Sequence, residues 1–309
     1  MTHYIGSGPY CYANSLAMVL GEVAPPPAVI EVLTGSPFGF ELLGGALPLF
    51  DPYGWDPDLG LDAALRLLGV RCERTSGGTA EEAEDRLRDR SARGPVLVGP
   101  VDMGLLLHQP GTPSTDGGDH FVVVVETDGG TVVFHDPHGH PYATLPVADF
   151  VAAWEARTVG YTDAPYVMRA GFVQERHVTP EEALRRSLPE ARRWLAGDGD
   201  RPVPPGTLGG AEGLEALAAR AEGGLDAGTR AFMAYFAVRV GARRLGDAAH
   251  CLESLGLSGA AAVAAGQSRL AGSLQHPLVT ADDRAVAKLL RRLAPSYERL
   301  RTALASETG

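Results

Sequence analysis

The hydrophobic pattern of this chain changes near residue 175, and that change limits the folds that the chain can adopt. Before it, short runs of β-branched residues alternate with Gly- and Pro-rich segments; after it, apolar residues recur at helical spacing. A chain of 309 residues is long enough for two domains. The sequence therefore predicts a mixed domain over residues 1–175 and an all-helical domain over residues 176–309.

The second half carries recognisable helix start signals. The segment TPEE at 179–182 combines an N-cap threonine, a proline at the first helical position and a glutamate three residues after the cap. A similar start, TADD, occurs at 280–283, and helix-spaced apolar residues fill 213–221 and 226–255. A Pro/Gly-rich connector covers 198–210. These features predict a bundle of about four to six helices.

The first half predicts helices followed by strands, which is an α+β arrangement. The expected helices cover 9–20, 62–68 and 80–90, and the expected strands cover 96–98, 121–127 and 131–135. The last two strands flank Asp128-Gly129-Gly130, so they should form a hairpin. A three-residue loop there places Asp136 opposite Val122, which makes Asp136 the diagonal neighbour of His120 on one sheet face.

Three residues in these elements have chemistry that fits together. Cys11 follows Gly8-Pro9 at the start of the first helix, where the helix N-terminus favours a thiolate. His120 opens one strand of the hairpin, and Asp136 closes the other. A thiol, an imidazole and a carboxylate supply the nucleophile, the general base and the group that orients the base in acyl transfer. We therefore predict Cys11, His120 and Asp136 as catalytic residues.

The order of these motifs resembles a known family. A cysteine at a helix start, an Asp-His before an apolar strand, and a strand ending in Asp-Pro-x-Gly (136–139) are similar to papain-like cysteine peptidases of the bacteriocin-processing type. The chain looks closer to their non-peptidase branch, which includes the acyltransferase of butirosin biosynthesis. Phe38-Gly39-Phe40 resembles a Gly/Phe segment of that branch, and segments 213–217 and 228–236 look like its C-terminal domain.

This resemblance implies a papain-like fold with an antiparallel sheet, an acyl-enzyme on Cys11 and no cofactor. The donor would be a carrier-protein thioester or an amide, and the substrate a small natural product. Peptidases of this type place a glutamine before the cysteine, but residues 1–10 contain none, so peptidase activity is not expected. The backbone N–H of Cys11 would then stabilise the oxyanion together with Ser7, Tyr10 or Asn14.

Further residues are candidates for binding the substrate or covering the site. Besides Tyr10 and Asn14, the aromatic residues Phe38 and Phe40, with Tyr53 and Trp55, would line an acyl pocket. The segment 108–119, rich in Gly, Pro, Ser and Thr, would act as a lid or as an ordinary surface loop.

The composition indicates which partners the protein can bind and in which cellular compartment it is expected. The chain carries 27 basic and 38 acidic residues, a net charge of −11, which argues against nucleic acid as a partner. No apolar run approaches the roughly 18 residues that span a bilayer, and residues 1–22 hold no Lys or Arg, so we expect a cytoplasmic protein. The arginine-bearing C-terminal helices are a candidate surface for an acyl carrier protein, and a homodimer is an open alternative.

Two rival functions remain open. The cluster His135-Asp136-Pro137-His138-Gly139-His140, with Asp119 and His120, would suit a metal-dependent hydrolase, although neighbouring strand residues point to opposite faces. The other rival is a catalytically inactive papain-like binding module. The 3 cysteines form no disulfide framework and no C-x-x-C pair, and we expect Cys72 and Cys251 to be buried.

Overall fold

The computed structural model of the chain describes residues 9–114, 118–199 and 201–307. The helices are α1 Cys11–Leu20, α2 Pro27–Leu33, α3 Pro57–Leu68, α4 Ala80–Ser91, α5 Val147–Trp154, α6 Pro180–Leu195, α7 Gly210–Gly223, α8 Ala227–Phe232, α9 Val238–Ser254, α10 Ser258–Ser273, α11 Gln275–Val279 and α12 Asp283–Glu307. The strands are β1 Glu41–Leu43, β2 Leu47–Leu49, β3 Val70–Thr75, β4 Val96–Asp102, β5 Asp119–Asp128, β6 Thr131–Asp136, β7 His140–Pro146, β8 Met168–Gln174 and β9 Leu208–Gly209.

The chain forms two compact units that differ from the expected domains in one respect. The first unit contains residues 1–27 and 68–177, and the second contains residues 28–67 and 178–309. The division at 177/178 lies two residues from the predicted boundary. Residues 28–67, however, pack with the helical half, although the sequence pattern assigned them to the first domain.

The first unit is built on one antiparallel sheet. Its six strands follow the order β3-β8-β4-β5-β6-β7, and every neighbouring pair is antiparallel. The central strand β4 is buried along its whole length, as its apolar sequence predicts. Helices α4 and α5 contribute to the core of this unit, whose members include Leu87, Val96, Val98, Val122, Phe134, Phe150 and Trp154.

Helix α1 packs against strand β5 in the first unit. The hydroxyl of Ser15 donates to the backbone oxygen of Phe121 at 3.1 Å. The rings of Tyr12 and Phe121 meet edge to face, with centroids 6.1 Å apart. Because Phe121 follows His120 directly, these contacts place the start of α1 next to the beginning of β5.

The β5–β6 hairpin differs from the prediction at its loop and agrees with it at its far end. The loop has two residues, Gly129 and Gly130, both at positive φ, so Asp128 pairs with Thr131. The register then shifts by one residue between Val124 and Glu126, and beyond the shift Val123 pairs with His135. Continued by one residue, this register sets Asp136 opposite Val122, as predicted.

The second unit is mainly helical and contains a small sheet. Strand β1 lies between β2 and β9, and both pairs are antiparallel. The predicted all-helical domain therefore contains one two-residue strand, β9, which pairs with a strand from residues 28–67. Within the described part of the C-terminal segment there are seven helices, α6 to α12, slightly more than expected, and a π-helical turn at Met233–Ala237 links α8 to α9.

Helix starts follow the capping signals in the sequence. The hydroxyl oxygen of Thr179 accepts the backbone N–H of Glu182 at 3.2 Å, and Pro180 is the first residue of α6. At α12 the cap lies two residues later than the TADD motif suggests, because the carboxylate of Asp282 accepts the N–H of Ala285 at 3.0 Å. These caps satisfy N–H groups that have no partner within the helix.

Buried charges hold residues 28–67 against helix α9 in the second unit. Arg244 donates from Nε to the carboxylate of Glu31 at 2.6 Å and from Nη1 to the backbone oxygen of Phe50 at 3.1 Å. It also contacts the carboxylate of Asp51. Arg244 and Glu31 are both buried, so neither charge is solvated by water. Removing one partner would leave the other uncompensated.

A second buried acid, Glu41, lies in the same unit. Burial, and then the nearby charge of Asp51, raise the pKa of Glu41 to about 8, although the backbone N–H of Gly54 donates to it at 3.4 Å and lowers that pKa. Glu41 is therefore largely neutral below that pH in the folded protein.

Among the helices that the structure describes, none is by itself long and apolar enough to cross a membrane. The helical stretches Cys11–Val23 and Pro27–Leu33 pass this test of length and composition only when taken together, across a bend.

Candidate active site

Cys11 is the first residue of helix α1, which begins two residues later than expected and keeps Cys11 in its first turn, as predicted. The residue before it, Tyr10, has φ 88° and ψ 44°, a left-handed conformation that non-glycine residues rarely adopt. Such backbone strain persists only where the surrounding structure enforces it, and it occurs often at functional sites. The strained turn fixes the direction in which the chain enters α1. It leaves the first backbone N–H groups of the helix, including that of Cys11, without intrahelical acceptors.

His120 and Asp136 lie on neighbouring strands and bond directly. Nε2 of His120 is 2.7 Å from Oδ1 of Asp136. His120 is 4% exposed and Asp136 is 0% exposed, so little water competes for this bond. The register shift in the β5–β6 hairpin is what places the two side chains on the same face of the sheet.

Cys11 completes this group. The Cys11 side chain lies beside His120, where its hydrogen bonding and charge help to raise the pKa of the imidazole. Because Nε2 of His120 faces Asp136, Nδ1 is the ring nitrogen left for the sulfur. The structure therefore brings together the three predicted catalytic residues in the order thiol, imidazole, carboxylate.

The charges of these groups support one another. Burial alone lowers the pKa of His120, but the charge and hydrogen bond of Asp136 and the adjacent Cys11 sulfur outweigh it and raise that pKa to about 10. Burial raises the pKa of Asp136, whereas the charge of His120 and hydrogen bonds from His108, His120 and the His138 backbone hold it well below its usual range. A cationic imidazole beside a sulfur atom stabilises the thiolate.

Asp136 accepts more hydrogen bonds than the sequence indicates. Its Oδ1 also accepts the backbone N–H of His138 at 2.7 Å. Its Oδ2 bonds Nε2 of His108 at 2.8 Å and accepts Nε2 of Gln109 at 2.6 Å. The two residues on Oδ2 begin the segment that we expected to be a lid, of which residues 115–117 lie outside the described residues.

Two of the three candidates for the second oxyanion donor, Tyr10 and Asn14, lie among the residues that the structure describes. Tyr10 and Asn14 flank Cys11 and are each 3% exposed, and the backbone N–H of Asn14 donates to the oxygen of Tyr10 at 2.9 Å as the first bond of the helix. Ser7 lies outside the described residues. The choice of a second oxyanion donor therefore stays a prediction.

The predicted acyl-pocket residues Phe38 and Phe40 lie in the second unit. Phe38 and Phe40 are 1% and 0% exposed. The ring of Phe40 packs edge to face on Phe50 with centroids 5.4 Å apart, within the core of that unit. Their role in binding an acyl chain stays a prediction.

The structure also changes the set of residues that can hold a metal ion. His135 is fully buried, and its Nδ1 accepts the backbone N–H of Tyr142 at 3.1 Å, so it is directed away from Asp136. Instead, His108, Asp136 and His140 each offer one ligand atom, and these atoms all lie within 4.8 Å of one another. His108 is the member that sequence reasoning missed, since nothing in its local pattern indicates where its loop folds.

The other two cysteines are not part of this group. Cys251 is buried, as predicted, and burial raises the pKa of its thiol to about 11. Cys72 lies on β3 and is half-buried, which is more exposed than expected. All three cysteines are free thiols.

Sequence comparisons add relatives without a stated activity. Residues 204–305, in the second unit, match the family model described as the YobF C-terminal domain. A protein of Bacillus subtilis (strain 168), Uncharacterized protein YobF, is 33% identical over 164 residues, which is 52% of this chain and 53% of that protein. The chain thus spans about half the length of the curated relative it matches. Neither name specifies a reaction.

Proposed function

We propose that this protein is an acyltransferase or a thioesterase/amidase that forms an acyl-enzyme on Cys11. The observation that carries the proposal is the continuous contact from the Cys11 sulfur through His120 to the buried carboxylate of Asp136. Each group has the chemistry that its position requires: a nucleophile, a base that can return its proton, and an anion that fixes the base.

In the first half-reaction, the Cys11 thiolate attacks the carbonyl carbon of an acyl thioester or amide. A new S–C bond forms, and the carbonyl π electrons move to oxygen. When the tetrahedral intermediate collapses, the bond to the donor sulfur or nitrogen breaks, and the His120 imidazolium supplies the proton for that leaving group. The N–H of Cys11, at the start of α1, is suited to stabilise the transient oxyanion.

In the second half-reaction, an amine or a water molecule attacks the acyl carbon. Neutral His120 removes a proton from this nucleophile, and the bond to the Cys11 sulfur breaks to regenerate the thiolate. Asp136 stabilises the imidazolium that forms and keeps Nε2 protonated, so that Nδ1 stays free to act as the base. The product is an amide when the acceptor is an amine and an acid when it is water.

We further propose that the first unit has a papain-like fold of the acyltransferase branch. A helix-borne cysteine packed on an antiparallel sheet that carries the histidine and the aspartate supports this proposal. By this resemblance the donor is a carrier-protein thioester, and the product belongs to natural-product biosynthesis, as in the making of antibiotics. The cytoplasm suits a reaction that needs a reduced thiol.

Turnover of small acyl thioesters tests the proposal. The purified full chain is incubated with N-acetylcysteamine thioesters of several acyl lengths, and the released thiol is measured over time. We expect consumption by the wild type, loss to background in Cys11→Ala, and retention in Cys72→Ala, a control cysteine in the same unit. Equal rates in wild type and Cys11→Ala would contradict the proposal. No consumption of any thioester or amide would favour a catalytically inactive binding module.

A further inference from the structure

Two histidines near Oδ2 of Asp136, His108 and His140, are not needed for the thiol chemistry. His108, Asp136 and His140 present ligand atoms within 4.8 Å of one another. Two imidazoles and one carboxylate are a donor set typical of zinc sites that keep a fourth position for water. His120 bonds the other oxygen of the same carboxylate, Oδ1.

The backbone fixes two of the three ligands. Asp136 ends β6 and His140 begins β7, and the two residues are direct partners in the antiparallel register. Directly opposed residues place their side chains on the same face of the sheet, with Cβ atoms about 5 Å apart. The turn between them is closed by the N–H of Gly139, which donates to the backbone oxygen of Asp136 at 3.3 Å.

The third ligand comes from the loop after β4 and is held by packing. The ring of His108 packs edge to face on Phe134, at 4.9 Å between centroids, and on His140, at 5.1 Å. Its side chain is only 9% exposed, yet Nδ1 has no hydrogen-bond partner in the part of the chain that the structure describes. Burial and packing therefore hold this imidazole beside the carboxylate, with Nε2 as the ring nitrogen that faces Oδ2.

The geometry requires a small adjustment to accept an ion. Nε2 of His108 and Oδ2 of Asp136 are 2.8 Å apart, whereas two ligands of a tetrahedral zinc ion are about 3.3 Å apart. Gln109 donates to Oδ2 at 2.6 Å and the His138 backbone to Oδ1 at 2.7 Å, so the carboxylate keeps its orientation when the His108 bond opens.

We propose that His108, Asp136 and His140 bind a divalent transition-metal ion such as Zn²⁺. The site is separate from the Cys11–His120 pair, although it shares the carboxylate that orients His120. A cation on Oδ2 withdraws negative charge from Oδ1, so metal binding weakens the support of the imidazolium and slows the chemistry at Cys11. The binding stands on its own, and this inhibitory effect rests on the proposed function.

Calorimetric titration of Zn²⁺ into chelator-treated full-length protein tests the binding without any substrate. We expect one ion per chain in wild type, with at least about tenfold weaker binding in His140→Ala. His276→Ala, an exposed histidine of α11, serves as the matched control and should bind as wild type does. His108→Ala provides a second ligand variant, and circular dichroism establishes that each variant is folded.

Cys11→Ala separates this site from the other place where zinc could bind, between the thiol and His120. Retention of the wild-type affinity in Cys11→Ala supports the proposal; loss of binding there, or unchanged binding in both folded ligand variants, overturns it. Absence of Zn²⁺ binding in wild type overturns it as well. With a thioester that is turned over, Zn²⁺ should inhibit wild type at least about tenfold more strongly than His140→Ala. A failure of all turnover would refute only the proposed function, since calorimetry would still report binding.

Discussion

Replacing Asp136 by asparagine changes one atom of the carboxylate and disturbs the two hydrogen bonds of the oxygen that becomes NH₂. In the wild type, His120 and the His138 N–H share Oδ1, and His108 and Gln109 share Oδ2. An amide offers one oxygen and one NH₂ group. An NH₂ in place of Oδ1 faces the His138 N–H, which only donates, whereas an NH₂ in place of Oδ2 faces Gln109, whose amide must turn over to offer its oxygen.

Neither orientation of the amide preserves the role of His120. If the amide NH₂ faces His120, Nε2 must accept a hydrogen bond, the proton moves to Nδ1, and the base can no longer take a proton on the side of Cys11. If the amide oxygen faces His120, the tautomer survives but the imidazolium loses its anionic partner. Losing the charge-assisted bond costs about 1.5–3 kcal/mol, and leaving the His138 N–H unpaired in the first orientation adds about 1–3 kcal/mol. At about 1.4 kcal/mol per factor of ten, the rate at Cys11 should fall about 10- to 10⁴-fold, depending on the orientation of the amide.

The assay is the second-order rate of iodoacetamide alkylation at Cys11, located by peptide mass spectrometry, together with thioester turnover. Asp102→Asn is the matched control, because Asp102 is also a buried aspartate of the first unit. There an amide can still accept from the Gly104 N–H and donate to the Thr158 hydroxyl. We expect the control within about threefold of wild type. A folded Asp136→Asn protein that also reacts within threefold of wild type would refute the assigned role of the carboxylate.

Three further predictions concern the second unit, and each is measured by urea unfolding. Glu41 holds its proton up to about pH 8 in the folded protein and loses it near pH 4.5 in the unfolded chain, so the free energy of unfolding should fall by about 3–5 kcal/mol as the pH rises between these values. Glu41→Gln should remove that fall, and parallel pH curves for the two proteins would contradict this prediction. Arg244→Ala should lower the free energy of unfolding by about 3–5 kcal/mol, because it breaks a buried ion pair. The neighbouring Arg243 is in an exposed ion pair, so Arg243→Ala should lower it by less than about 1 kcal/mol, and equal losses would refute the role of the buried ion pair. Gly241→Ala should lower the free energy of unfolding by about 1–3 kcal/mol, because the added Cβ would lie 2.2 Å from the ring of Phe50. Unchanged stability would contradict this prediction and show that the ring moves aside freely.

The local sequence pattern was sufficient to predict much of the secondary structure of the first unit. Hydrophobic pattern and turn residues predicted α1, α4 and the β5–β6 hairpin, and an α+β fold with an antiparallel sheet is confirmed. The hairpin shows how a correct placement can rest on two offsetting errors. The loop is one residue shorter than expected, and the register shift after Val124 adds that residue back, so Asp136 still lies beside His120.

Long-range packing was the part that local pattern did not reveal. Residues 28–67 contain the same mixture of apolar runs and Gly/Pro turns as the rest of the first half, but Glu31 and Phe50 pair with Arg244, about two hundred residues away. The side chains of His108 and Gln109 reach Asp136 from a loop without periodicity. Residues of this kind are joined by tertiary structure alone, so sequence spacing gives no signal for them.

The most direct test of the central claim is the mass of the protein during turnover. Wild-type chain is mixed with an acyl thioester, quenched in acid within seconds and measured as an intact protein, and the modified peptide is then sequenced. Acyl transfer through Cys11 predicts one added acyl group on the peptide that contains Cys11, removed by a later chase with an amine and missing in Cys11→Ala. Thioester consumption without any adduct on Cys11, or an adduct that maps to Cys72 or Cys251, would contradict the account.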